Sequence, residues 1–198
     1  MTDNRVLLLV ALIGLTALGA CTTLGWGDPA PQAPAARALD YLNDDLGTLV
    51  FALDLPTSVT PLPTGSLVTL EATTAANGNR HVQALLTLAD GDAIDSALPA
   101  PASGRTYYFL GLSDKDKKSL RDAQKWAKVL PAGTAPVFAL NLAPRLCASD
   151  PADPATTRVA VLLALPNGPP LEPLVPMEPL ATFLAETGAT SLPACAGH

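Results

Sequence analysis

Twenty prolines and fourteen glycines cut this 198-residue chain into short segments. Pro and Gly are the strongest local breakers of regular structure, so what survives between them bounds the fold. Residues 48–55 form an apolar run that stops at Pro56. Residues 66–73 alternate, with Val68, Leu70 and Ala72 on one side and Thr69, Glu71 and Thr73 on the other. Residues 80–88 alternate as well, placing Val82, Ala84, Leu86 and Leu88 on one face. A period of two is the signature of a half-buried strand. Asn77-Gly78 lies between these two segments, a strong short-range hairpin signal. Residues 106–112, 136–142 and 157–165 complete about six expected strands. Short strands with turn punctuation predict a mainly β chain, an antiparallel sandwich-like domain with one inserted amphipathic helix. The alternative is an α+β arrangement, an antiparallel sheet with helices on one face.

The inserted helix is well marked. Ser113 is a good N-cap residue, and Asp116 stands three positions on, where a capping box has Glu or Gln. Leu120, Ala123, Trp126, Ala127 and Leu130 fall on one side at helical spacing, and Pro131 ends the run. A second helix is expected over residues 179–186, opened by Pro179 and stopped near Gly188. A third, over residues 35–43, is weaker.

The first 21 residues read differently from the rest. Residues 1–5 are polar, with one basic side chain, Arg5. Residues 6–17 are almost wholly apolar, but twelve residues cannot span a hydrocarbon core that needs about twenty. The segment has the length of a secretory h-region. Leu18, Gly19, Ala20 and Cys21 follow at once. This pattern resembles the lipobox of bacterial lipoproteins, a Leu-x-small-Cys sequence behind an apolar leader. The resemblance implies that residues 1–20 are a cleaved signal peptide and that the Cys21 thiol carries diacylglycerol. Two or three acyl chains hold a protein on a membrane permanently, where one gives only marginal binding. Thr22 rather than Asp follows the cysteine. By the same resemblance the anchor belongs to the outer membrane, facing the periplasm.

Residues 21–35 form a Pro/Ala-rich tether without apolar periodicity. Extended, the fourteen residues after Cys21 reach roughly 45 Å, enough to lift a domain clear of the headgroups. Trp26 is placed to rest at the membrane interface or to have no role there. Residues 36–198 then make one domain of ordinary size, and an apolar content of 48% is ample for a single core.

With Cys21 committed to lipid, Cys147 and Cys195 remain. Two cysteines in an oxidising compartment are expected to pair, closing a loop of about 49 residues.

Few groups are available for chemistry. The chain has two histidines, His81 in a hairpin strand and His198 at the end, so no metal cluster and no cofactor site are expected. Asp90, Asp92 and Asp95 faintly suggest a calcium loop, but Gly91 comes too early and no Glu stands at the twelfth position. No nucleophile elbow, P-loop or zinc-protease helix motif is present. The net charge of −6 argues against nucleic-acid binding.

Two features remain as interaction candidates. Lys117, Lys118, Arg121, Lys125 and Lys128 lie within an arc of about 100° on the marked helix. Residues 114–128 carry six basic against three acidic side chains, so the rest of the chain after the leader is near −9. The face is either a solvated surface with local ion pairs or an electrostatic contact for anionic lipid or an acidic protein. Residues 165–180 contain five prolines before Pro179 and predict a polyproline-like path. Leu171, Leu174, Val175 and Met177 would form an exposed apolar ribbon there, or pack over the domain as an ordered crossover.

The expected protein is a non-enzymatic accessory or adaptor module of the cell envelope, held to the membrane by lipid on Cys21 and contacting an envelope protein partner. A ligand-binding module is the alternative, with a pocket near Tyr107, Tyr108 and Trp126. An envelope hydrolase is the third reading.

Overall fold

The structure is a computed structural model that describes residues 38–75, 78–89, 98–134, 136–165 and 171–195. The leader, Cys21, the tether, Asn77, the Asp90–Asp92–Asp95 cluster, His198 and Pro166, Pro169 and Pro170 lie outside the described residues.

Among the described residues, nine strands and two helices follow in chain order. They are β1 (Val50–Pro56), β2 (Val59–Pro61), β3 (Ser66–Thr73), β4 (Asn79–Leu88), β5 (Arg105–Leu112), α1 (Asp114–Lys128), β6 (Val137–Ala143), β7 (Leu146–Ala148), β8 (Arg158–Ala164), β9 (Glu172–Pro179) and α2 (Leu180–Thr187). The protein is mainly β and antiparallel, with an inserted amphipathic helix, as its alternation predicts. Seven strands form one curled sheet in the order β6-β3-β4-β5-β1-β8-β9. Its two halves meet where β4 pairs with β5, and only Leu86–Leu88 of β4 take part. β2 and β7 make a separate two-stranded ribbon.

The alternating residues of β3 behave as their period demands. Ser66, Val68, Leu70 and Ala72 are buried, while Leu67, Thr69 and Glu71 are half-exposed. The hairpin to β4 closes at the pair Thr73–Asn79, and the Thr74 hydroxyl donates to the Gly78 carbonyl at 2.7 Å. Phe51, Leu53 and Leu55 of β1 meet Leu110 of β5 and Val159, Val161 and Leu163 of β8 in the same core as β3. α1 lies over β3 and β4 and closes that core with Leu120, Ala123 and Ala127.

Three strands exceed the six expected. β2 and β7 are three residues each, too short for any periodic signal. β9 corrects the polyproline-like expectation. Its residues pair antiparallel with β8, with irregularities between Val159 and Val161 and between Val161 and Leu162. Proline is tolerated there because β9 is an edge strand, where a missing N–H faces outward. The bulged register puts the consecutive residues Leu174 and Val175 both in the core, and only Met177 of the expected ribbon is largely exposed, at 45%.

The expected third helix does not extend through Asn43. Residues 40–44 form a turn in which the Asp40 carbonyl accepts from the Asn43 and Asp44 amides, followed by a 3-10 turn at Leu46–Thr48. α2 starts at Leu180, one position later than expected, with Pro179 as its N-cap; its first amides, Leu180 and Ala181, are capped by the carbonyls of Thr157 and Pro154. It ends at Gly188 with φ of 69°, a left-handed conformation that glycine adopts without penalty.

Candidate interaction face on helix α1

The Ser113 hydroxyl accepts from the Asp116 amide at 3.2 Å and donates to the Asp116 carboxylate at 2.6 Å. Asp114 and Asp116 occupy the first turn, and Lys125 and Lys128 the last, matching the helix dipole at both ends. The apolar stripe faces the sheet, so the basic stripe faces outward.

Most of that basic face is already engaged by carboxylates of the same chain. Lys117 pairs with Asp114 at 3.0 Å. Asp122 is shared by Lys118 at 2.7 Å and Lys125 at 3.4 Å. Its carboxyl is held below the usual range chiefly by the hydrogen bond from Lys118, and that ammonium is raised by the same bond. Arg121 reaches off the helix and grips Asp45 with Nε at 2.8 Å and Nη2 at 2.7 Å. The Arg121 bonds are the largest cause that lowers the Asp45 carboxyl, with a smaller contribution from the Gly47 amide. Lys128 acts at longer range: it helps lower Asp40, whose main partner is the Asn43 amide side chain. The geometry therefore makes this face a mesh of paired charges rather than a bare cationic patch.

Gly47 permits the Arg121 contact. A Cβ at this position would stand 2.7 Å from the guanidinium carbon. Beneath the face sits a residue the sequence reading missed, Gln124. It is 6% exposed, and its Nε2 donates to the carbonyls of Tyr41 at 2.9 Å and Asp44 at 2.6 Å. A polar residue at the border of an apolar stripe is an ordinary sight in sequence; its two acceptors lie 83 and 80 residues away. Gln124 and Arg121 together fasten α1 to residues 40–48. Tyr41 stacks on Phe138 of β6 at 5.1 Å, and burial pushes its hydroxyl up to about 12.

A depression of about 370 Å³ lies at the C-terminal end of α1, between Leu42, Asn43, Ala127, Lys128, Leu130 and Pro136. It opens broadly to solvent, and none of Tyr107, Tyr108 and Trp126 lines it. Those three aromatics do not converge. Tyr107 and Tyr108 are consecutive on β5 and point to opposite faces, opposite Asp54 and Leu53 of β1. Trp126 instead lies under the Arg80 guanidinium, 5.4 Å from its ring centre. Burial is the largest cause raising both tyrosine hydroxyls, with Asp54 adding to the shift at Tyr107.

Cys147 and Cys195 are joined as a disulfide with Cα atoms 4.9 Å apart. The bond pins the C-terminal segment to β7, and the Cys195 amide donates to the Ala148 carbonyl at 2.9 Å beside it. The Thr60 hydroxyl of β2 touches both sulfurs, at 3.2 and 3.3 Å. His81 is exposed and faces Glu71 across the β3–β4 pair at 3.3 Å. Among the described residues, no three His, Cys, Asp or Glu side chains come together as metal ligands, and no helix is long and apolar enough to cross a membrane.

Comparison with protein-family models, with curated proteins and with solved structures finds no match.

Proposed function

We propose that this protein is a lipid-anchored component of a bacterial envelope, held by acylated Cys21 and acting there as a non-enzymatic adaptor. The observation that carries this reading is the lipobox-like Leu18–Cys21 directly behind a twelve-residue apolar leader. The Cys147–Cys195 disulfide supports it, because such bonds persist in oxidising compartments. The tether of residues 22–35 supports it too, since a compact domain on a membrane needs a spacer. An adaptor is favoured over a ligand-binding module because the depression beside α1 is open and the β5 aromatics are dispersed.

Metabolic labelling with a fatty-acid analogue tests the anchor. The wild-type chain takes up label and fractionates with membranes, and Cys21→Ser does neither. An unlabelled wild-type chain with an intact, unmodified Met1 overturns the proposal. Crosslinking in native envelopes tests the adaptor role. Changing Lys117, Lys118, Arg121, Lys125 and Lys128 to Gln removes crosslinked partners if the basic face contacts them, and leaves the pattern unchanged if that face is only solvated.

A further inference from the structure

The two edges of the seven-stranded sheet are built differently. β9 closes one edge with Pro173, Pro176 and Pro179 and two irregularities in its pairing. These are the devices by which proteins stop an edge from recruiting another strand. β6 forms the other edge and has none of them. Its seven residues contain no proline, no charge and no glycine. Its pairing with β3 is regular over Leu67–Thr73 without a bulge. Among the described residues, no turn or loop backbone group bonds to its outer side. Val137 at its start is 66% exposed, a large apolar side chain on a sheet edge.

We propose that β6 is a self-association edge, pairing antiparallel with β6 of a second copy about a two-fold axis at Leu140. A second copy fits because the strand is self-complementary. Centred on Leu140, Val137 meets Ala143, Phe138 meets Leu142, and Ala139 meets Asn141 of the other copy. No charged pair arises at any position. Like charges directly opposite would destabilise such a pair. The apolar row Phe138, Leu140 and Leu142 continues the core face of one sheet into the next. Asn141 gives the outer row its only amide, and its Oδ1 is buried without a donor among the described residues. Seven paired residues span about 23 Å, an interface at the small end of specific contacts, so the dimer is weak and reversible. The chain carries −6, so added salt strengthens pairing by screening repulsion between copies. The inference is independent of the lipid anchor.

Sedimentation equilibrium of the full chain in a neutrally buoyant detergent, between about 1 and 300 μM, reads the association, a range suited to a weak interface. A monomer–dimer equilibrium is expected, tighter at higher salt, with β6 amides gaining hydrogen-exchange protection as concentration rises. Ala139→Lys, an outward position opposite Glu71 of β3, introduces an edge charge beside the axis and weakens the dimer at least about tenfold. Met177→Lys on the opposite edge leaves it unchanged. A monomer at every concentration with freely exchanging β6 amides overturns the proposal. So does a monomer with β6 protected at all concentrations, which places a segment of the same chain on that edge. A dimer that Ala139→Lys does not weaken assigns association to another surface.

Discussion

Replacing Gln124 by Ala separates two accounts of how α1 is held. In one, the helix rests on its apolar stripe alone. In the other, Gln124 bolts it to residues 41 and 44 through two donated hydrogen bonds of 2.9 and 2.6 Å. A buried hydrogen bond contributes about 1 kcal/mol net, and an acceptor left without a donor costs about 1–3 kcal/mol unless water reaches it. The substitution also removes one buried methylene, Cγ, worth about 0.8 kcal/mol. The expected loss for Gln124→Ala is therefore about 2–4 kcal/mol, at the lower end if water enters to solvate the freed carbonyls. Guanidinium denaturation of the oxidised protein, followed by circular dichroism, would read this as a midpoint shift of roughly 0.5–1 M for a slope near 4 kcal/mol per M. Gln124→Glu sharpens the test. A carboxylate facing two carbonyls favours its protonated form, so its folded-state pKa rises above the ordinary value. Stability relative to wild type is then retained below the ordinary glutamate pKa of about 4.3 and lost as pH rises through the raised value. A Gln124→Ala protein within about 0.5 kcal/mol of wild type, at unchanged slope, would refute the reasoning, because a surface-like change has that size. A Glu variant whose deficit ignores pH would refute it equally.

Three further outcomes are expected. Reducing the Cys147–Cys195 bond, which spans 48 positions, should destabilise the fold by about 4 kcal/mol in the chain-entropy description, seen as a lower denaturation midpoint with reductant present. Tyr41, raised to about 12 from 10.0 by burial, contributes stability that is complete below pH 10 and lost as pH climbs toward 12. Tyr41→Phe should blunt that alkaline loss, and a titration of tyrosinate absorbance should show one late phase that this variant removes. Gly47→Ala should displace the Arg121 guanidinium and return the lowered Asp45 carboxyl toward its ordinary value, measured by carboxyl-carbon NMR titration. That lowered carboxyl contributes stability above the ordinary aspartate value and loses it as pH falls through the folded value, so Gly47→Ala should also flatten the acid limb of the stability curve.

Local patterns were legible residue by residue. Val68, Leu70 and Ala72 sit inside because a pleated strand turns alternate side chains to opposite faces, and that period is written in the chain. Ser113 caps α1 and Pro131 follows its end because both act within one turn of their own position. The pairing of Cys147 with Cys195 followed from counting, once Cys21 was set aside. The role of residues 172–179 was not legible. Five prolines between residues 166 and 176 suggest an extended path, either exposed or packed over the domain, and only a position at the rim of the sheet, beside β8, makes residues 172–179 a strand. Tyr107 and Tyr108 suggest one pocket wall by their proximity in the chain, but adjacency on a strand sends them to opposite faces.

The basic stripe of α1 shows where the two kinds of information part. Lys117, Lys118, Arg121, Lys125 and Lys128 share a helix face by their spacing alone, and the chain states this without help. Whether those charges stand bare depends on what approaches from elsewhere. Asp45 comes from 76 residues away to take Arg121, and the carbonyls of Tyr41 and Asp44 come to take Gln124. Helical spacing, caps and strand alternation are short-range consequences of backbone geometry, so sequence alone determined them. Sheet order, the edge position of β6 and the pairing of most charges on the helix face arise from contacts between distant segments, whose meeting is set by burial of the common core, and only the tertiary structure decided those.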